Sequence, residues 1–389
     1  MGWQMLVVLL PLLLLTGWRG PAMNEVMAAE LPVGMSAVMS GSAAVLGQQM
    51  ALGVRGWLEQ VNAAGGVHGN TLRLIVRDDG YEPEQAARNM RHLIEQDRVL
   101  AVIGNVGTPT AVVTVPIANA LRTLLFGSYT GADLLRRQPP DRYVVNLRAS
   151  YAEETAEMVR GLLSRGIRPE ELAFFTQNDG YGDAGYRGAV QALQQAGYAA
   201  ADALPHGRYT RNTLHVEEGL GVILDAAVEP RVIIMVGAYQ PCARFIQLAR
   251  AELPRARFLN VSFVGSRPLL EALGPAAEGV VVTQVVPLPD ADLPGLVPYR
   301  AAMRRMAGTE DVISLEGFLA ARLFVLALER AGPAPDRESV IDALEALGTV
   351  DLGIGVPLTL TPQIRQASRH IWPSVVRDGR FVPLDWREF

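Results

Sequence analysis

What most constrains this chain is an alternation that runs once and then starts again. Beginning at Leu31, short apolar runs trade places with segments whose apolar residues recur at helical spacing. LPVGMSAV (31–38) reads as a strand and Ala43–Ala63 as a helix. LRLIV (72–76) is a strand, and a helix opens at Pro83 with Met90, Leu93 and Ile94 on one face. VLAVIG (99–104) is a strand, Pro109–Leu121 a helix and TLLFG (123–127) a strand. Such βαβα order predicts a parallel sheet covered on both faces by helices. The pattern restarts with strand YVVNL (143–147), helix Ala152–Ser164, strand LAFFT (172–176), helix Asp183–Ala196, strand VIIMVG (232–237), helix Cys242–Glu252 and strand ARFLNV (256–261). Two successive series imply an α/β protein of two Rossmann-like lobes with parallel sheets, linked near Ala149–Tyr151. Helices are expected at 297–306, 312–330 and 337–346, after the turn-rich PLPDADLPGLVP (287–298). A β-rich end follows: VPLTL (356–360), HIWPSVV (370–376) and a turn at Asp378-Gly379.

The length of 389 residues is too great for one ordinary core and suits this two-lobed reading. A net charge of −5 argues against a nucleic-acid footprint. All 35 basic residues are arginine, so lysine-dependent phosphate cradles and Schiff-base chemistry are excluded. Cys242 is the single cysteine and the five histidines are scattered, so neither a disulfide framework nor a metal centre is expected. Met5–Leu15 is an apolar core too short to span a bilayer, followed by small residues at Ala28-Ala29. Residues 1–29 therefore read as a signal peptide, with a retained anchor as the alternative. No other run is apolar enough to span, and the stretch around 312–328 is broken by Glu316 and Arg322.

Gly180-Tyr181-Gly182-Asp183-Ala184-Gly185 matches the glycine fingerprint of dinucleotide sites. Gln177, Asn178 and Asp179 separate it from the preceding strand, and Tyr181 and Asp183 would crowd a pyrophosphate. The acid pairs Asp78-Asp79 and Glu153-Glu154 read as loop and first-turn charges, and Cys242 as a small core residue. Thr108-Pro109-Thr110 and Gly127-Ser128-Tyr129-Thr130 carry more information. Both follow parallel strands, where open α/β sheets bind ligands, and both adjoin helix starts with free backbone N–H groups. Added hydroxyls favour an anion such as a carboxylate; helix capping is the plainer alternative.

Residues 40–104, with SGSAA followed by LG, the loop N-A-A-G-G-V-H-G, the Asp78-Asp79 pair with Pro83 and its helix, and VLAVIG, resemble the periplasmic branched-chain amino-acid-binding proteins. AEGVVVTQ (277–284) and GFLAARLFVLALERAG (317–332) share that likeness. These are the type I solute-binding proteins of ABC transporters, and the resemblance extends more weakly over about 31–376. It implies lobes of 31–148 plus 282–355 and 149–281 plus 356–389, joined by three hinge crossings around a ligand. It implies that Thr108, Ser128 and Thr130 hold the ligand carboxylate, that Tyr181 and Tyr239 line the second lobe and that Leu46 forms a lid. Tyr129 stands where a small residue is common. Ser262 stands where amino-acid binders of the family place an acid for the ligand ammonium; Asp179, Asp183 and Glu316 are the other acids that could replace it. With that half altered, a branched or aromatic carboxylic acid is favoured over a branched-chain amino acid, resting against Leu46, Tyr129, Tyr181, Tyr239 and Phe263.

The resemblance thus implies a monomeric periplasmic protein, not an enzyme. It would need no cofactor and would deliver a small carboxylate to an inner-membrane ABC permease. A sensing module of the same fold that reports to a receptor or kinase is the alternative, and a nicotinamide-dependent enzyme the remote one.

Overall fold

The computed structural model describes residues 1–2 and 29–389. The expected signal segment, its ends apart, lies outside the described residues. The first lobe is built from β1 (Glu30–Ala37), α1 (Ala44–Ala63), β2 (Thr71–Asp78), α2 (Pro83–Glu95), β3 (Ala101–Ile103), α3 (Thr108–Ala120), β4 (Leu124–Phe126) and β5 (Val144–Val145). Its strands pair in the order β2-β1-β3-β4-β5, all parallel. Every residue of β3 and β4 is buried, as expected when helices cover both faces.

The second lobe follows with α4 (Tyr151–Ser164), β6 (Leu172–Gln177), α5 (Gly180–Gln195), β7 (His206–Tyr209), α6 (Glu217–Leu224), β8 (Val232–Val236), α7 (Tyr239–Glu252), β9 (Arg257–Asn260), α8 (Ser266–Leu273) and β10 (Val281–Gln284). The chain then returns to the first lobe through α9 (Val297–Arg305), α10 (Val312–Ala331) and α11 (Arg337–Glu345). It finishes with the paired strands β11 (Gly348–Val350) and β12 (Leu358–Leu360), then β13 (Trp372–Arg377) and β14 (Arg380–Pro383). The second sheet runs β14-β13-β10-β9-β8-β6-β7; its last two strands in sequence are antiparallel and the rest parallel.

The second and third crossings between lobes fall later in the chain than expected. Val281 and Val282 of β10 pair with Leu259 and Asn260, and the whole strand pairs with β13, so the return to the first lobe comes after Gln284. β12 pairs with β11, and Gln366 bridges to Asn146 beside β5, so the last crossing lies beyond Gln366. A valine-rich run such as VVVTQVV carries no mark of which sheet takes it. Helix α7 starts at Tyr239 rather than Cys242, because Pro241 in a first helical turn needs no N–H.

Two glycines of the 180–185 fingerprint, Gly182 and Gly185, serve packing. Asp179 caps α5 by accepting from the Tyr181 N–H at 2.9 Å. A Cβ at Gly182 would stand 2.0 Å from the Gln177 carbonyl oxygen, and one at Gly185 2.6 Å from the Val236 side chain. Close helix–strand contact, not a phosphate, requires those glycines.

Candidate functional site

Helix α3 begins after a short connection (104–107) from β3, and its entry depends on Gly107. That residue has φ of 103°, and a Cβ there would stand 2.2 Å from the Tyr81 ring. Thr108 is thereby set at the first turn, facing Thr130 from the loop after β4. Their hydroxyl oxygens are 2.7 Å apart, both residues are buried, and the Tyr151 hydroxyl donates to Thr130 Oγ1 at 3.3 Å. Ser128 is buried in the same loop, and its Oγ has no hydrogen-bond partner among the described residues. The Thr108 and Thr130 hydroxyls, from two different segments, therefore meet at the start of α3.

An aromatic wall closes over them. Phe263, from the second lobe, has its ring centroid 4.6 Å from Tyr181, 5.2 Å from Tyr129, 6.2 Å from Tyr81 and 6.5 Å from Tyr151. All five side chains are fully buried. Tyr129 reaches across the lobes and donates to the Ser262 carbonyl at 3.0 Å. Near the rim, Arg211 and Asn212 of the second lobe bond Glu82 of the first at 2.8 and 2.7 Å. The lobes thus meet over the hydroxyl cluster. Leu46 and Tyr239 take part at another point of the junction: a Cβ at Gly265 would lie 2.8 Å from Leu46, and the Tyr239 hydroxyl lies beside the Val45 backbone.

Beyond Tyr129 and Tyr151 lies a charged cluster that sequence reasoning missed as a unit. Arg148, fully buried in the first hinge crossing, has its guanidinium carbon 4.8 Å from the Tyr129 ring centroid and 5.8 Å from that of Tyr151. Its Nη2 donates to Ser262 Oγ and, at 3.3 Å, to Glu154 Oε1. Nη1 stands 3.6 Å from Glu316 Oε2. Glu154, expected to be a first-turn charge, is fully buried and has both oxygens occupied. It accepts from Ser262 N–H at 2.7 Å, Ser262 Oγ at 2.8 Å and Thr283 Oγ1 at 2.6 Å besides Arg148. Its neighbour Glu153 does act as a helix cap, accepting from the Ser150 N–H at 2.7 Å.

Burial would lower the basicity of Arg148, yet Glu316 and Glu154 hold it above its ordinary value. Burial raises Glu154 despite Arg148 and its hydrogen bonds, and pushes Glu316 up to about 7. Arg148 Nε and Nη1 and Glu316 Oε1 have no hydrogen-bond partner among the described residues. Unpaired polar atoms are rare in protein interiors, and each calls for a partner such as an ordered water or a ligand. The other two acids considered for a ligand ammonium are engaged elsewhere: Asp179 at the start of α5 and with Gln177, Asp183 with Arg208 at 2.5 Å. A charged residue directly after a buried strand, Arg148 after VVNL, was the available signal. Nothing local marked Tyr81 or Tyr151.

Two α/β lobes with converging hydroxyls, aromatic walls and a buried charge cluster at their junction define a ligand-binding protein of the type I periplasmic fold. The chain belongs to the periplasmic binding protein family, whose model matches residues 30–380. A solved structure from Rhodopirellula baltica, described as a possible leucine/isoleucine/valine-binding protein, is 45% identical, covering 93% of this chain and 98% of its own, with a TM-score of 0.90. The Leu/Ile/Val-binding protein homolog 7 of Brucella abortus is 24% identical over 384 residues, 92% of each chain. A branched-chain amino-acid ABC transporter structure from Thermus thermophilus with bound valine shares the fold at 19% identity, with a TM-score of 0.81 over 92% of this chain and 96% of its own. These relatives bind substrates rather than transform them, and this chain is a binding protein, not an enzyme. Among the described residues no group of His, Cys, Asp and Glu could hold a metal ion, and no helix is long and apolar enough to cross a membrane.

Proposed function

We propose that this protein captures a small carboxylate-bearing solute between its lobes in the periplasm and, as a monomer, hands it to an inner-membrane ABC permease. The observation that carries this reading is the Thr108–Thr130 hydroxyl pair, 2.7 Å apart at the start of α3 and walled by aromatic rings from both lobes. The carboxylate meets Thr108, Thr130 and the free Ser128 Oγ, with Tyr151 supporting Thr130. The apolar body lies against Tyr81, Tyr181 and Phe263, which favours a branched or aromatic acid. Leu46 and Tyr239 act at the lobe junction rather than against the carboxylate. Residues 1–29 direct export. No chemistry is performed: the ligand touches both lobes and so favours the closed arrangement over the open one.

Small-angle scattering of ligand-stripped protein, before and after titration with branched and aromatic carboxylic acids, tests the reading. A bound acid should reduce the radius of gyration. An unchanged radius at calorimetric saturation would refute capture by closure.

A further inference from the structure

We infer that Arg148 determines the ligand class: the cleft selects a carboxylic acid bearing a neutral oxygen acceptor, a 2-oxo or 2-hydroxy acid, over the matching α-amino acid. This rests on the carboxylate-capture reading above and specifies what the rest of the ligand carries. Ser262 is the residue that the family resemblance sets at the position of an ammonium-pairing acid, and its Oγ is held by the Arg148 guanidinium and by Glu154. A cation thus stands where the ligand's own cation would need a counter-charge.

The two neighbouring carboxylates do not reverse this. Both Glu154 oxygens accept two hydrogen bonds each from the protein, which fills the lone-pair sites of a carboxylate. Glu316 retains one free oxygen, but its other oxygen is 3.6 Å from Arg148 Nη1. An ammonium at Glu316 would therefore share a buried site with a guanidinium. The donor side is the reverse case. Arg148 is fully buried, and its Nε and Nη1 donors have no hydrogen-bond partner among the described residues. The guanidinium adjoins the rings of Tyr129 and Tyr151, and the Tyr151 hydroxyl itself bonds Thr130 in the hydroxyl cluster. An oxygen on a ligand anchored at Thr108 and Thr130 can accept those donors. A neutral acceptor suits them better than a second carboxylate, which would bring a further anion beside Glu154 and Glu316 in a buried site.

The test is calorimetry on ligand-stripped wild-type protein with pairs that differ only at C2. They are 4-methyl-2-oxopentanoate against leucine and phenylpyruvate against phenylalanine, with 4-methylpentanoate as the unsubstituted reference. The oxo acid of at least one pair should bind about ten- to a hundred-fold tighter than its amino counterpart. Arg148→Met should erase that preference, and Arg148→Lys should weaken oxo-acid binding while still disfavouring the amino acid; circular dichroism reports whether each variant is folded. The wild-type comparison stands even if neither variant folds. Leucine and phenylalanine each binding at least as tightly as its oxo acid would overturn the role of Arg148 while leaving carboxylate capture intact. Failure of every compound, 4-methylpentanoate included, would overturn the capture reading and this inference with it.

Discussion

Removing the Glu154 carboxylate should destabilise the second lobe more than any loss of a ligand contact would. The group is fully buried and accepts from Ser262 N–H at 2.7 Å, Ser262 Oγ at 2.8 Å, Thr283 Oγ1 at 2.6 Å and Arg148 Nη2 at 3.3 Å. It thereby joins α4 to β10, to the loop after β9 and to the first hinge crossing. In Glu154→Ala these donors lose their acceptor, and Arg148 keeps Glu316, 3.6 Å away, as its one remaining counter-charge among the described residues. Breaking a buried ion pair costs ~3–5 kcal/mol, and a buried donor left unpaired costs ~1–3 kcal/mol. The terms do not add, because the walls relax into the space and the hydroxyls can turn toward other acceptors. A loss of ~4 kcal/mol is the working figure, and for a lobe of this size it lowers Tm by ~8–16 °C. Glu154→Gln preserves shape and one acceptor, so a smaller loss is expected. Differential scanning calorimetry at neutral pH checks both, and the second lobe's transition should move furthest if the lobes melt separately. A Glu154→Ala protein melting within ~2 °C of the parent would refute the reasoning, since that shift corresponds to less than ~1 kcal/mol.

Thr108→Ala and Thr130→Ala should each weaken carboxylate binding by roughly 10- to 150-fold, the cost of one hydroxyl bonded to a charged group, with melting curves close to the parent's. Calorimetry with an acid that binds the parent decides it; unchanged affinity in both would misplace the anion site. Glu316 is held near 7 against an ordinary 4.5, so the folded state binds its proton more tightly than the unfolded chain does. Its contribution is fully present below pH 4.5 and is lost as pH rises through about 7, so urea unfolding should show the parent losing ground to Glu316→Gln across that interval. A difference independent of pH would contradict this. The Cys242 thiol is fully buried, and burial raises its pKa, so a thiol reagent should label it only after denaturation.

The sequence by itself determined the class of fold, because a strand buried on both faces must be a short apolar run and its covering helix must repeat at 3.6 residues. It also located the Thr108 and Ser128–Thr130 loops as anion-binding candidates, since the carboxyl end of a parallel strand is where helix starts and hydroxyls converge. Elements without that pattern escaped it. Strand β7 is the short edge segment His206–Tyr209, whose residues alternate between half-buried and buried, and α8 is a single short stretch, Ser266–Leu273. Tertiary structure alone decided where the chain crosses between lobes, because VVVTQVV suits either sheet and only β9 and β13 settle its partner. It alone brought Arg148 from a hinge, Glu154 from α4 and Glu316 from α10 around Ser262. Their pairing has no local signature: a buried charge is tolerable only beside its partners, and here those partners are supplied by segments that meet when the lobes come together.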